Sequence, residues 1–183
     1  MITTTLNAIR NHDPCNDGWS KLLRHLGKTK ADDDLLPLVT VLDSNGLDFA
    51  LWCCRCLPEY HRLWRLFAVY CTRRVQHLMT DPRSVAVIDV AEKYANGQAT
   101  RDELAAAYFA ASAAFAAAAP FSAVFAADAA YFAAAAFVSS SCVGTYAAAA
   151  SASAADAAVD PDGERVTQSD AFRLLITTGE LPK

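Results

Sequence analysis

Residues 104–158 read LAAAYFAASAAFAAAAPFSAVFAADAAYFAAAAFVSSSCVGTYAAAASASAADAA. Alanine fills 29 of these 55 positions, and only Asp128 and Asp156 carry charge. Alanine has the best intrinsic helix propensity, so the stretch reads as helix. Its side chain ends at Cβ, so neighbouring helices can approach closely. Nine rings punctuate the run: Tyr108, Phe109, Phe115, Phe121, Phe125, Tyr131, Phe132, Phe137 and Tyr146. Leu104, Tyr108 and Phe115 are spaced four and seven apart, and Phe121, Phe125 and Phe132 repeat that spacing 17 residues later. On a 3.6-residue helix each trio falls in one narrow stripe. The expectation is two amphipathic helices, broken near Pro120, with their rings packed inward. Ser139-Ser140-Ser141 and Gly144 weaken the helix beyond Phe137. Such a segment offers shape and apolar surface but almost no chemistry.

Outward from this run the punctuation is helical, with no convincing alternating strand. A short helix is expected over Thr4–Asn11 and another over Asp17–His25, with Gly27 as its C′ residue. Lys28–Asp34 reads as a charged loop. Asp34 is a candidate N-cap, with Pro37 in the first turn of a helix that ends near Ser44-Asn45-Gly46. A further helix spans Asp48–Leu57 and stops before Pro58. The longest N-terminal helix is expected over Glu59–Met79. Asp81 caps the next, with Pro82 at its first position, and Asn96-Gly97 ends it. Thr100-Arg-Asp-Glu103 is a capping box that opens the Ala-rich run. Val159-Asp-Pro-Asp-Gly163 reads as a loop, followed by a last amphipathic helix near Ser169–Thr177. The fold class is all-α, a helical bundle with long Ala-rich helices. Residues 1–99 form an N-terminal helical bundle. Residues 100–183 form the Ala-rich region and its short C-terminal helix, packed on the first as one unit.

The chain of 183 residues can bury a real core. Residues 1–103 hold 13 basic and 13 acidic groups, while residues 104–183 hold 3 and 7, which gives the net charge of −4. No global nucleic-acid footprint follows from that balance. Six cysteines occur (Cys15, Cys53, Cys54, Cys56, Cys71 and Cys142), three of them crowded into one helix, which is a poor disulfide framework. Met1-Ile-Thr-Thr-Thr5 lacks the basic start and apolar core of a signal peptide. Reduced thiols in a cytoplasmic setting are the expectation. Two uncharged windows, Leu104–Ala127 and Ala129–Ala155, are long enough for a membrane hairpin. Weakly hydrophobic alanine, Pro120, Asp128 and the lack of basic flanks argue against one.

The helix over Glu59–Met79 is the place to look for a binding surface. At about 100° per residue, Leu63, Trp64, Phe67, Cys71, Val75 and Leu78 share a core face. Arg62, Arg65, Arg73, Gln76 and His77 gather on the other side, with Leu66 and Val69 as exposed apolar surface between them. Residues 55–83 hold six arginines against Glu59 and Asp81. Arginine mixed with apolar groups is typical of protein interfaces. Arginine also grips phosphate bidentately. A solvated face with local ion pairs is the plainer alternative. Arg74 lies nearer the apolar face, as a member of a buried or interhelical ion pair.

Other constellations fall short of chemistry. Cys53, Cys56, His61, Cys71 and His77 could supply zinc ligands, but no second pair follows at a familiar interval. Asp43-Ser-Asn-Gly-Leu-Asp48 lacks the ligand spacing of a calcium loop, and Asp32-Asp33-Asp34 reads as cap and surface loop. Ser141-Cys142-Val143-Gly144 is not a nucleophile elbow. His12 and His25 near Asp13 and Asp17 build no triad. No phosphate loop, metalloprotease helix or paired catalytic carboxylates occur. The expectation is a protein that is not an enzyme and takes no cofactor or metal.

Several stretches carry a resemblance: Leu42-Asp-Ser-Asn-Gly-Leu-Asp48, Ala50-Leu-Trp-Cys53, His77-Leu-Met-Thr-Asp-Pro-Arg-Ser84, and Ala91-Glu-Lys-Tyr-Ala-Asn-Gly97 followed by Thr100-x-x-Glu103-Leu104. They resemble a group of small Ala-rich proteins encoded by bacteriophages and prophages. The resemblance runs from Cys15 to about Ala107, roughly half the chain. The Ala-rich tail of that group varies, so residues 108–158 cannot be matched position by position. The resemblance carries no catalytic residue. It implies a small accessory protein made in the cytoplasm of an infected bacterium. Phage accessory proteins of this size often bind a host protein or defence complex, for example as anti-CRISPR inhibitors. The leading expectation is a protein-binding inhibitor that occludes a functional surface, with Arg62, Arg65, Arg73, Gln76 and His77 as its contact face. A nucleic-acid module using the same arginines is the runner-up. A self-assembling or membrane-active helical protein comes next.

Overall fold

The computed structural model describes residues 1–116, 121–135 and 143–182. They form ten α-helices and one two-stranded antiparallel ribbon. Strands β1 (Thr3–Thr4) and β2 (Leu36–Pro37) pair Thr3 with Pro37 and Thr4 with Leu36. Two residues are too few for an alternating pattern to show, which is why the sequence reads as helical throughout. Pro37 lies in that ribbon rather than in a helical turn.

Between the strands run α1 (Leu6–Arg10) and α2 (Asn16–His25). Thr5 caps α1 by accepting from the Ala8 amide at 3.0 Å. The end of α2 is a Schellman turn. Gly27 has φ +65°, the Gly27 amide donates to Arg24 O at 3.2 Å, and the Lys28 amide donates to Leu23 O at 2.9 Å. Helices α3 (Leu38–Asn45) and α4 (Leu47–Cys53) follow, hinged at Gly46. The helix expected to reach Leu57 gives way to a 3-10 turn over Cys54–Cys56.

The helix expected over Glu59–Met79 is shorter at both ends. A 3-10 turn covers Pro58–Tyr60, α5 spans His61–Arg74, and a separate 3-10 turn covers Gln76–Leu78. The Thr72 hydroxyl donates back to Ala68 O at 2.9 Å, a bond that loosens a helix interior. Val75 then leaves helical geometry at φ −110°. Helix α6 (Pro82–Ala95) starts as its Asp-Pro pair dictates, with Asp81 accepting from the Arg83 amide. Helix α7 (Arg101–Ala116) opens on the capping box: the Thr100 amide donates to Glu103 at 2.7 Å and the Glu103 amide to the Thr100 hydroxyl at 3.2 Å.

Helices α8 (Phe121–Ala135) and α9 (Val143–Ala157) complete the Ala-rich part. The expected break at Pro120 and the weakening at Ser139–Ser141 lie outside the described residues. So do the side chains of Phe115 and Phe121. The expected inward rings hold in part where they can be followed: Tyr108 and Phe125 pack against the main core and Phe132 against a cluster of alanines. Leu104 is buried, but Tyr108, Phe125 and Phe132 are only partly so. Phe109 is 70% exposed. The buried side chains are the alanines: Ala126, Ala129, Ala130, Ala133, Ala147, Ala150 and Ala154 are each 0% exposed. Small residues let α8, α9 and α5 pack closely. A bond from the Thr72 hydroxyl to Ala129 O at 3.2 Å, across from α5 to α8, marks how close they come.

Helix α10 (Pro161–Thr178) begins where a loop was expected and runs through Ser169–Thr177. Asp160 is its N-cap, accepting from the Gly163 amide at 3.1 Å, with Pro161 at N1. Phe172 sits at the centre of the core, edge-on to Phe67 at 5.0 Å and 6.0 Å from the Trp64 ring. The Ile2 amide donates to Ile176 O at 2.8 Å, so the first and last elements meet.

Candidate interaction groove

Helix α5 carries its buried face much as its spacing requires. Trp64, Phe67, Cys71 and, just past its end, Val75 are buried, while Leu63 and Leu78 are partly covered. Trp64 Nε1 donates to Leu57 O at 3.1 Å, which satisfies its one polar atom. The other face is not an open basic surface. It is the seam with α6. Arg62 donates to Asn96 Oδ1 at 2.8 Å. The Arg65 guanidinium lies 5.3 Å over the Tyr94 ring, and burial lowers its pKa. Arg73 donates to Gln76 Oε1 at 2.9 Å, Asp89 Oδ1 at 2.7 Å and Glu92 Oε2 at 2.6 Å. Burial opposes the Arg73 charge, but its bonds to Glu92 and Asp89 outweigh that and raise its pKa.

The five expected contact residues therefore do not share one helix face. Arg62, Arg65 and Arg73 line the α5–α6 seam. Gln76 and His77 sit on the 3-10 turn beyond the end of α5. Of the interrupting residues, Val69 is 4% exposed and Leu66 only partly exposed, so neither is the open apolar surface expected. Each of the six arginines between 55 and 83 has a partner within the chain. Arg55 stacks 4.4 Å from the Trp52 ring, and Arg83 grips Asp81 at 2.7 Å. Arg74 is the interhelical ion-pair member that its position suggested. Its Nε donates to both oxygens of Glu164 on α10, at 2.7 and 2.9 Å.

Beside the seam the chain does form a groove, of about 540 Å³. One wall is α5, through Arg62, Leu66, Val69, Tyr70 and Arg73, with Glu92 of α6 beyond. The other wall is Leu175 of α10 and the tail Gly179-Glu180-Leu181-Pro182. Arg62, Leu66, Val69 and Arg73 recur at i, i+4, i+7 and i+11, a stripe that sequence spacing could have isolated. Tyr70 and the tail were missed. The tail is distant in sequence, and only the closure of α10 brings it here.

A buried polar network joins α9 and α10. Gln168, fully buried, accepts from the Ser151 hydroxyl at 2.6 Å and donates to Ser151 O at 3.0 Å. Arg165 donates to the Ser151 hydroxyl at 2.7 Å and reaches Asp48 of α4. These bonds join α4, α9 and α10, and Gln168 links them to the Arg74–Glu164 pair through Glu164 at 3.2 Å.

Four of the cysteines are held as thiols. Burial pushes Cys53, Cys54 and Cys71 well above their ordinary pKa and Cys56 to about 11. Inert thiols of this kind fill space rather than react. Among the described residues, no three His, Cys, Asp or Glu side chains converge on a point that could hold a metal ion. Among the same residues, no helix is long and apolar enough to cross a membrane.

The ten helices, packed on a main core with a smaller alanine cluster beside it, define an all-α protein. Comparison with family models, with curated proteins and with solved structures finds no match.

Proposed function

We propose that this protein acts without catalysis, by binding another protein in the groove between α5 and the C-terminal tail. The reading is of a stoichiometric inhibitor that occludes a functional surface of a host factor. A bacterial defence complex, as for an anti-CRISPR, is the leading target class. The host setting, in the cytoplasm of an infected bacterium, rests on the resemblance to phage-encoded proteins alone. The observation that carries the binding mode is the composition of the groove. Arg62 and Tyr70 flank Leu66 and Leu181 in one concavity. Arginine and tyrosine around a partly buried apolar centre are what protein hot spots use.

A phosphate-binding role for the same helix is disfavoured by the ion pairs. A nucleic acid would have to displace Asp89 and Glu92 from Arg73. Arg73 is for the same reason a poor probe, because reversing its charge would gather three carboxylates and split α5 from α6. Arg62→Glu combined with Leu181→Glu tests the groove instead. Tagged full-length protein and this variant are each exposed to nuclease-treated bacterial lysate. The expected outcome is one host protein recovered at equal stoichiometry by the unaltered chain and lost by the variant. Equal recovery by both would remove the groove from the interface. Recovery that disappears on nuclease treatment would overturn the protein-binding reading.

A further inference from the structure

A second cleft, of about 570 Å³, opens among the N-terminal helices. Its volume lies in the ordinary range for small-molecule sites. It is lined by Arg10 at the end of α1, by Asp13, Asn16 and Trp19 at the start of α2, and by Thr29 and Lys30 in the loop after α2. Its two cations, Arg10 and Lys30, are both exposed. Among the described residues neither Arg10 nor Lys30 has a carboxylate within ion-pair distance. Lys28, two residues before Lys30, is claimed by both Asp32 and Asp34. The one acid in the cleft is Asp13, so the lining carries a net positive charge.

The walls are fixed in place before any ligand arrives. Asp13 turns the chain sharply from α1 into α2, with φ +54° and its amide bonded to Arg10 O at 3.1 Å. Aspartate is among the few residues that adopt this left-handed geometry readily. The loop that carries Thr29 and Lys30 is closed by the Lys28–Asp32 bridge. The Asn7 amide tethers it to α1 by donating to Asp32 O at 3.0 Å. Trp19 is partly buried against the core and offers the rest of its indole to the cleft. Preorganisation of this kind lowers the cost of binding.

We infer that this cleft binds a small phosphorylated compound carrying a flat ring, with a mononucleotide as the fitting class. Arg10 and Lys30 hold the phosphate, since guanidinium and ammonium groups favour that anion. The indole of Trp19 stacks on the ring. Asp13, Asn16 and Thr29 accept or donate hydrogen bonds to sugar hydroxyls. The site is separate from the groove, and its ligand could be bound whether or not the groove takes a partner.

Calorimetric titration of the full chain with AMP, adenosine and inorganic phosphate tests this directly. AMP is expected to bind one-to-one, about ten-fold or more tighter than either fragment. Arg10→Gln and Lys30→Gln should each weaken it about ten-fold, because each removes a charge-assisted bond. Indole fluorescence should respond to AMP in the unaltered protein and not in Trp19→Phe. Amide shifts of Asn16, Thr29 and Lys30 in the unaltered protein locate the ligand without any variant. Absence of saturable heat at millimolar AMP overturns the proposal. So do unchanged affinity in both cation variants and shifts confined to another region. A short single-stranded oligonucleotide that binds where AMP does not overturns it as well, in favour of a polymer ligand.

Discussion

Glu164 is 8% exposed and holds its charge chiefly against one guanidinium, that of Arg74. Arg74→Ala leaves that buried carboxylate without its cation, with the Gln168 amide at 3.2 Å still donating to it. The expected loss is about 2–3 kcal/mol in denaturant unfolding, below the full value for a buried pair because Arg74 is a third exposed and screened. Adding Glu164→Gln to Arg74→Ala should recover part of the loss. No recovery would mean that Arg74 acts through packing alone. Asp128 makes the opposite case. Burial raises its pKa, and the bond from the Ser153 hydroxyl at 2.8 Å only partly offsets that. A carboxyl with a raised folded pKa binds its proton more tightly when folded. Its contribution to stability is full below the unfolded pKa of about 3.9 and is lost as pH rises through the folded value. Asp128→Asn, which can still accept from Ser153, should therefore be more stable than the native chain at neutral pH. The difference should vanish below about pH 3.9, where both side chains are neutral. A difference independent of pH would show that charge is not its cause. Which arginines are free to act is a matter of the same kind, and sequence could not say. The acidic partners of Arg73 are 16 and 19 residues away and that of Arg74 is 90 away, so spacing along α5 reveals the face but not what covers it.

At the scale of helices, the local signals were legible and the tertiary ones were not. Gly27, Gly97, Asp81-Pro82 and the Thr100 capping box mark ends correctly because each satisfies backbone groups within a few residues. The same Asp-Pro chemistry at Asp160-Pro161 reads as loop in the sequence, since the neighbouring Asp162-Gly163 is turn vocabulary too. The end of α5 at Arg74 left no such mark. The striped rings pack against the core where they can be followed, but the fully buried positions go to alanine for a packing reason. Between α5, α8 and α9 the buried contact is made by Ala68, Ala133, Ala147 and Ala150, with Phe132 packed against them and stacked on Tyr146. Ala68→Leu should therefore cost about 1–3 kcal/mol, because the added methylenes have nowhere to go. Phe109→Ala, in the exposed position, should change stability by no more than about 0.5 kcal/mol. A ranking in which the ring matters more than the alanine, measured by chemical denaturation, would reverse this account of the seam.

Across the whole molecule, α10 is the element that makes one core out of two compositions. It contributes Phe172 to the aromatic centre with Trp64 and Phe67. It binds α5 through Glu164, α9 through Gln168, α4 through Arg165 and α3 through Arg173, which reaches Asp43. It also accepts the Ile2 amide at its far end. A helix so placed cannot leave without opening a cavity lined by the largest buried rings. Truncation to residues 1–159 is therefore expected to abolish the cooperative thermal transition while leaving much of the far-ultraviolet helical signal, since alanine keeps its own propensity. The full chain should unfold in one step, with calorimetric and van't Hoff enthalpies equal. Two transitions in the full chain, or a sharp transition surviving in the truncated one, would show that the N-terminal helices hold a core of their own. The groove would then lose a wall without losing its scaffold, because Leu175 and Leu181 line it from α10 and the tail. The single-core account predicts that stability of the bundle and shape of the groove fail together.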